Sequence, residues 1–101
     1  MYAAITTYRV IPEKTGKLSA IWKRVLKPAA KKMEGFKGGF LMVDNKASKA
    51  IGIGFWDSRE NALAFGTCEG LKKFRDQVAD ILAVAPSRQL LEVEDMMVDL
   101  F

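Results

Sequence analysis

The sequence predicts an α+β domain: one four-stranded antiparallel sheet with helices on one face, in the order β-α-β-β-α-β. Three observations predict it. Four runs rich in aromatic and β-branched residues, at 2–10, 36–44, 49–57 and 88–100, read as strands. Apolar residues recur at spacings of three and four from Leu18 to Met33 and from Leu71 to Ala85, which is the helical period. The second and third strands are joined only by the hairpin-length link Asp44-Asn45-Lys46-Ala47-Ser48, while the other two connections are long enough for helical crossovers.

The elements follow in order. In the first strand, Tyr2, Ala4, Thr6, Tyr8 and Val10 share one face and Ala3, Ile5, Thr7 and Arg9 the other. Neither face is clearly polar, so both are expected to be at least partly covered. The first helix carries Leu18, Ile21, Trp22, Val25, Leu26, Ala29, Ala30 and Met33 on its core side, with lysines and Arg24 opposite. Pro28 offers no N–H to the Arg24 carbonyl, so a kink is expected there and not an end, with Gly35 as a left-handed cap. In the third strand Ile51, Ile53 and Phe55 line one face; Gly52, Gly54 and Trp56 line the other. That second face is a shallow trough closed at one end by an indole. Its glycines signal either bulging and twist or room for a ligand or a close helix. Asp57, with Glu60 three residues on, reads as the cap of a short helix that breaks near Gly66. A longer helix follows from Leu71 until Pro86 stops it, and the fourth strand runs from Arg88 to Leu100, with an irregularity expected at Asp95.

Composition narrows the functional classes. Residues 1–101 form one domain, half apolar and 28% charged, which excludes disordered, collagen-like and disulfide-stapled chains. The single Cys68, the lack of a signal segment and the lack of any apolar run near the roughly 18–20 residues that span a bilayer lead to the expectation of a soluble, cytoplasmic protein. The net charge of +4 is unevenly spread, with seven lysines and arginines between Lys14 and Lys32. No aromatic residues alternate with them as stacking platforms, so a solvated helix face is expected, with no nucleic-acid and no membrane partner. There is no histidine. That removes the commonest acid–base group and metal ligand and every histidine-dependent nucleophile, so neither a metal nor a cofactor is expected.

The stretch from Pro28 to Asp44, PAAKKMEGFKGGFLMVD, and that from Ala50 to Ala64, AIGIGFWDSRENALA, resemble the antibiotic biosynthesis monooxygenase family of dimeric α+β barrels. The shared features are a proline near the end of the first helix, the Gly35-Phe36-Lys37-Gly38-Gly39 approach to the second strand, and Trp56-Asp57-Ser58 before the next helix. The resemblance implies a ferredoxin-like monomer that dimerises through its sheet and holds an apolar cavity between sheet and helices. Relatives include cofactor-independent monooxygenases of phenols or quinols and haem-degrading enzymes. The haem-degrading branch matches Trp56 but has an asparagine in the first strand, where this chain has Thr6 and Thr7. It also has an iron-binding histidine near the position of Val78, so haem degradation is not expected.

Two readings of function follow. The first is a monooxygenase-like enzyme, free of metal and flavin, acting on a small aromatic phenol or quinol; its candidate residues are Trp56, Arg9, Tyr8 and Asn61. Trp56 can orient a substrate oxygen through its N–H and stack an aromatic ring, or simply be a core or interface indole. Arg9 can hold a phenolate or superoxide-like anion, or be an exposed strand arginine. Tyr8 and Arg9 face opposite ways, so at most one lines a given cavity, and Asn61 reads as a pocket-mouth residue or a capping one. The second reading is a non-catalytic module that binds a small apolar or aromatic ligand or only dimerises. In either case the second sheet face carries bulky apolar groups that a homodimer would cover.

Overall fold

In the computed structural model, which describes residues 1–99, the chain opens with β1 (Tyr2–Arg9). A continuous helix follows, built from α1 (Thr15–Ile21), a π-helical turn (Trp22–Leu26) and α2 (Lys27–Lys31). Then come the hairpin of β2 (Phe36–Asp44) and β3 (Lys49–Trp56), helices α3 (Arg59–Gly66) and α4 (Glu69–Val78), a 3₁₀ turn (Ala79–Ile81) and β4 (Ser87–Glu92). The strands form one open antiparallel sheet in the order β2-β3-β1-β4. This is the predicted ferredoxin-like α+β arrangement.

Alternation sets the register. Tyr2 lies opposite Trp56, Ala4 opposite Gly54, Thr6 opposite Gly52 and Tyr8 opposite Ala50, so the trough of β3 continues across β1 on the helix-covered face. Beneath the helices, Trp56, Phe74, Leu18 and Val78 are the largest fully buried side chains. Tyr8 and Phe74 meet edge to face at 6.0 Å. The other face of the sheet is uncovered: Phe40, Met42 and Leu91 are 47–51% exposed beside the half-buried Ile51, Ile53 and Phe55.

Four local expectations are corrected. The helix continues through Pro28, as expected. The turn before it widens, with the Lys27 N–H bonding to the Trp22 carbonyl five residues back, and this lets the helix pass a residue that cannot donate. The helix ends at Lys31, and Gly35 takes its left-handed φ of 82° four residues later. Gly35 is needed there for a second reason, since a Cβ would fall 2.2 Å from Asp57 Oδ1. The α3 helix is capped by Ser58, whose Oγ accepts from the Asn61 N–H at 3.1 Å, and not by Asp57. Helix α4 stops at Val78 although the apolar spacing runs on. The chain there joins the end of β1, through Ile11 N–H to Ile81 O and Ala83 N–H to Arg9 O, and those bonds replace helical ones. Finally, β4 ends at Glu92. The Val93 N–H bond to the Met1 carbonyl continues the pairing by one bond past it. Leu100, the last residue of the predicted strand, lies outside the described residues.

Candidate functional site

Glycines on the inner sheet face leave space that the helices do not fill. A cavity of about 680 Å³ lies between them, within the size range of small-molecule sites. Its floor is Ala4, Thr6, Gly52 and Gly54; Trp22, Leu26 and Ala30 from the first helix form the opposite wall. On the β2–β3 side Trp56 closes it, packed against Phe36 at 5.3 Å and Phe65 at 5.0 Å. Two causes produce the glycine-rich entrance to β2. A β-bulge between Phe36 and Gly38 turns Phe36 inward, and Gly39 lets the β2 backbone approach β3, since a Cβ there would meet the Ile53 carbonyl at 2.5 Å.

Trp56 is 1% exposed, and its Nε1 is buried without a hydrogen-bond partner. It lies over Gly54, 3.1 Å from where a Cβ would stand. A buried N–H left unpaired costs about 1–3 kcal/mol, so this donor is stabilised by any acceptor brought to it. Tyr8 is also buried in the cavity wall. Burial pushes its phenol above the ordinary value, partly opposed by the Thr6 side chain and by the charges of Arg75 and Arg88. At neutral pH it therefore stays protonated and serves as a donor.

Of the four candidates, the cavity brings together Trp56 and Tyr8. Arg9 lies exposed at the end of β1 on the opposite face, beside Lys49, and is not among the lining residues. Asn61 is occupied locally: its backbone N–H bonds to Ser58 and its Nδ2 donates to Asp57 Oδ1 at 2.8 Å. That bond is the main cause holding the exposed Asp57 carboxyl below its usual range.

The lining residues that were not candidates from the sequence include Thr6, Trp22, Arg75 and Arg88. Arg88 is half-buried on the inner face of β4, opposite Thr6, and its Nη2 donates to the Ala62 carbonyl at 3.2 Å. Burial, and then the nearby charge of Arg75, lower its proton affinity. The signals were present. Arg88 shares the parity of Leu90, and Arg75 stands four residues from both Leu71 and Ala79, which also line the cavity. Val78 is fully buried core. Among the described residues no group of three or more Cys, Asp or Glu side chains is placed to hold a metal ion.

The architecture matches solved structures over almost its whole length. A protein of Nitrosomonas europaea described as a candidate antibiotic biosynthesis monooxygenase superposes with a TM-score of 0.81 at 18% identity, over 94% of this chain and all of the other. The fold is that of the antibiotic biosynthesis monooxygenases. The ActVA-Orf6 monooxygenase of Streptomyces coelicolor, solved with the ligand nanaomycin D, gives a TM-score of 0.81 at 13% identity, over 98% of this chain and 92% of its own. Rv0793 of Mycobacterium tuberculosis gives 0.79 at 16% identity, over 96% and 98%. No family model and no curated protein sequence matches the chain. At these identities the antibiotic biosynthesis monooxygenase fold is established, and the chemistry must be argued from the cavity.

Proposed function

We propose that this protein is a cofactor-independent monooxygenase-like enzyme of the cytoplasm, acting on a small phenol- or quinol-type aromatic in the cavity between sheet and helices. The observation that carries this is the character of the cavity: aromatic walls, a glycine floor, and the unpaired N–H of Trp56 over that floor. A flat ring in this cavity lies against aromatic walls, and an oxygen on it can accept from Trp56. Tyr8, held protonated by burial, is a second donor. The chain has no histidine to remove a proton, so a substrate acidic enough to ionise beside cationic side chains suits it. Such an electron-rich anion can reduce dioxygen itself. With an anthrone-type methylene, one oxygen atom becomes the new carbonyl and the other leaves as water, all electrons coming from the substrate. The protein contributes orientation, removal of water and hydrogen bonds to developing negative charge.

The homodimer belongs to the same proposal. The uncovered sheet face, with Phe40, Met42 and Leu91 exposed around Ile53 and Phe55, supports pairing of two sheets. That face also favours the second reading, a ligand-binding or dimerisation module without catalysis. Oxygen-electrode assays with a panel of quinols and anthrones separate the two. The oxygenase reading expects uptake above background that Trp56→Phe and Tyr8→Phe both reduce; a flat response across the panel leaves the binding module. Light scattering at micromolar concentration tests the dimer, and a monomeric mass would refute sheet-to-sheet pairing.

A further inference from the structure

The cavity is aromatic on the β2–β3 side and cationic elsewhere. Lys27, Lys31, Arg75 and Arg88 line it, against one carboxylate, Asp76. The two arginines are the notable pair. Arg75 comes from α4 and Arg88 from β4, a helix and the strand that follows it, which converge on the same space. Arg88 is half-buried, and the bond it makes to the Ala62 carbonyl engages a neutral acceptor. Bringing two guanidinium groups together at a partly desolvated wall is unfavourable by itself, and the charge of Arg75 adds to burial in weakening the hold of Arg88 on its proton. An anion seated between them reverses the sign of that interaction, and planar guanidinium groups match a carboxylate through paired N–H donors.

We propose that the ligand of this cavity is an aromatic acid, its carboxylate held by Arg75 and Arg88 and its ring lying in the aromatic part of the cavity on the side of Trp56. This rests on the reading of the cavity as the ligand site and adds the class of ligand. The span is consistent with the sheet. Strands β3 and β4 flank β1, and Arg88 and Gly52 both lie opposite Thr6, so Arg88 and the glycine floor arise two strand spacings, about 10 Å, apart across the sheet, with Trp56 four residues further along β3.

Equilibrium dialysis of the full chain with anthraquinone-2-carboxylate and with anthraquinone-2-carboxamide tests the assignment, because the two probes differ chiefly in charge. The acid is expected to bind at least about tenfold tighter, a margin that one charge-assisted hydrogen bond can supply. Its affinity should fall with added salt while that of the amide holds. Arg75→Gln, at an exposed helix position where folding is not at stake, should bring the two probes close to parity, and so should Arg88→Gln. Arg88→Lys, which keeps the charge, should retain part of the preference and covers the case in which Arg88→Gln does not fold. Equal binding of acid and amide to the unmutated protein overturns the carboxylate assignment and leaves the cavity reading intact. A preference that survives Arg75→Gln and either Arg88 variant unchanged also overturns it. Binding of neither probe removes the assignment and the ligand site together. Acid preference without oxygen uptake on the quinol and anthrone panel sustains the assignment and removes only the oxygenase reading.

Discussion

Replacing Trp56 by phenylalanine separates its role in the cavity from its role in the core. The indole is 1% exposed, packed between Phe36 and Phe65, so a purely structural Trp56 would resemble any other large core side chain. Truncation of such a residue to alanine costs about 3–5 kcal/mol. Phenylalanine is different, because it retains the stacking ring and deletes the unpaired Nε1–H. Removing that buried donor returns about 1–3 kcal/mol. The ring atoms lost leave a void of roughly 40 Å³, which at about 24 cal/mol per Å³ costs on the order of 1 kcal/mol, plus the transfer term. The contributions nearly cancel, and Trp56→Phe is expected to change stability by less than about 1.5 kcal/mol in urea unfolding followed by circular dichroism. Its effect on function should be larger. Loss of a donor that engages a developing oxyanion should lower kcat/KM by about tenfold or more, or about 1.4 kcal/mol of transition-state stabilisation. A loss of 3 kcal/mol or more in stability with undiminished ligand binding and turnover would refute the reasoning, since it would make Trp56 a core residue with a well-accommodated N–H.

Three further outcomes follow from local geometry. The raised Tyr8 pKa has a definite sign: above pH 10.0, the ordinary value, the unfolded chain gives up this proton while the folded chain keeps it. Stability should therefore fall as pH rises from there toward the folded value, and Tyr8→Phe should flatten that part of a thermal-melting profile relative to the parent. Gly70→Ala should lower Tm, because its Cβ would stand 2.3 Å from that of Ala29 and force α4 away from α2; overpacking of this kind costs about 1–3 kcal/mol, less about 1 kcal/mol of helix propensity regained. Asn61→Ala should move the Asp57 carboxyl up toward its ordinary value in a carbon-detected NMR titration while leaving ligand affinity unchanged, since Asn61 lies outside the cavity lining.

The sheet was readable from sequence because period-two alternation carries its own check. Tyr2, Ala4, Thr6 and Tyr8 face the same side as Gly52, Gly54 and Trp56, and one residue of slip would expose the indole. What local pattern could not supply was competition between segments. The apolar spacing through Ile81, Leu82 and Ala85 favours helix, yet the unpaired end of β1 takes the Ile81 carbonyl and the Ala83 N–H. Asp57 and Ser58 are both good caps, and the choice turned on Asn61 bonding to each with a different group. The same limit applies to the site. Trp56 and Tyr8 were legible from strand parity, whereas Arg75 and Arg88 become neighbours only through the packing of α4 on the sheet. Arg9, chosen for its charge on a strand, fell on the face that the helices do not cover.

The π-helical turn at Trp22–Leu26 also constrains chain length. A residue added to or removed from a helix rotates everything beyond it by about 100°. Leu18 and Ile21 before the turn are buried, as is Ala30 after it, while Trp22 and Leu26 within it line the cavity. Both halves are thus locked in phase, with the wider turn as the adapter. Deleting one residue between Lys23 and Val25 would close the widened turn to a regular helix with both halves still in phase, whereas inserting a further one would swing one half's apolar stripe into solvent; exchanging Pro28 for alanine would leave the phase, and so the widened turn, in place. This segment should therefore tolerate the loss of one residue at the widened turn far more readily than a further insertion.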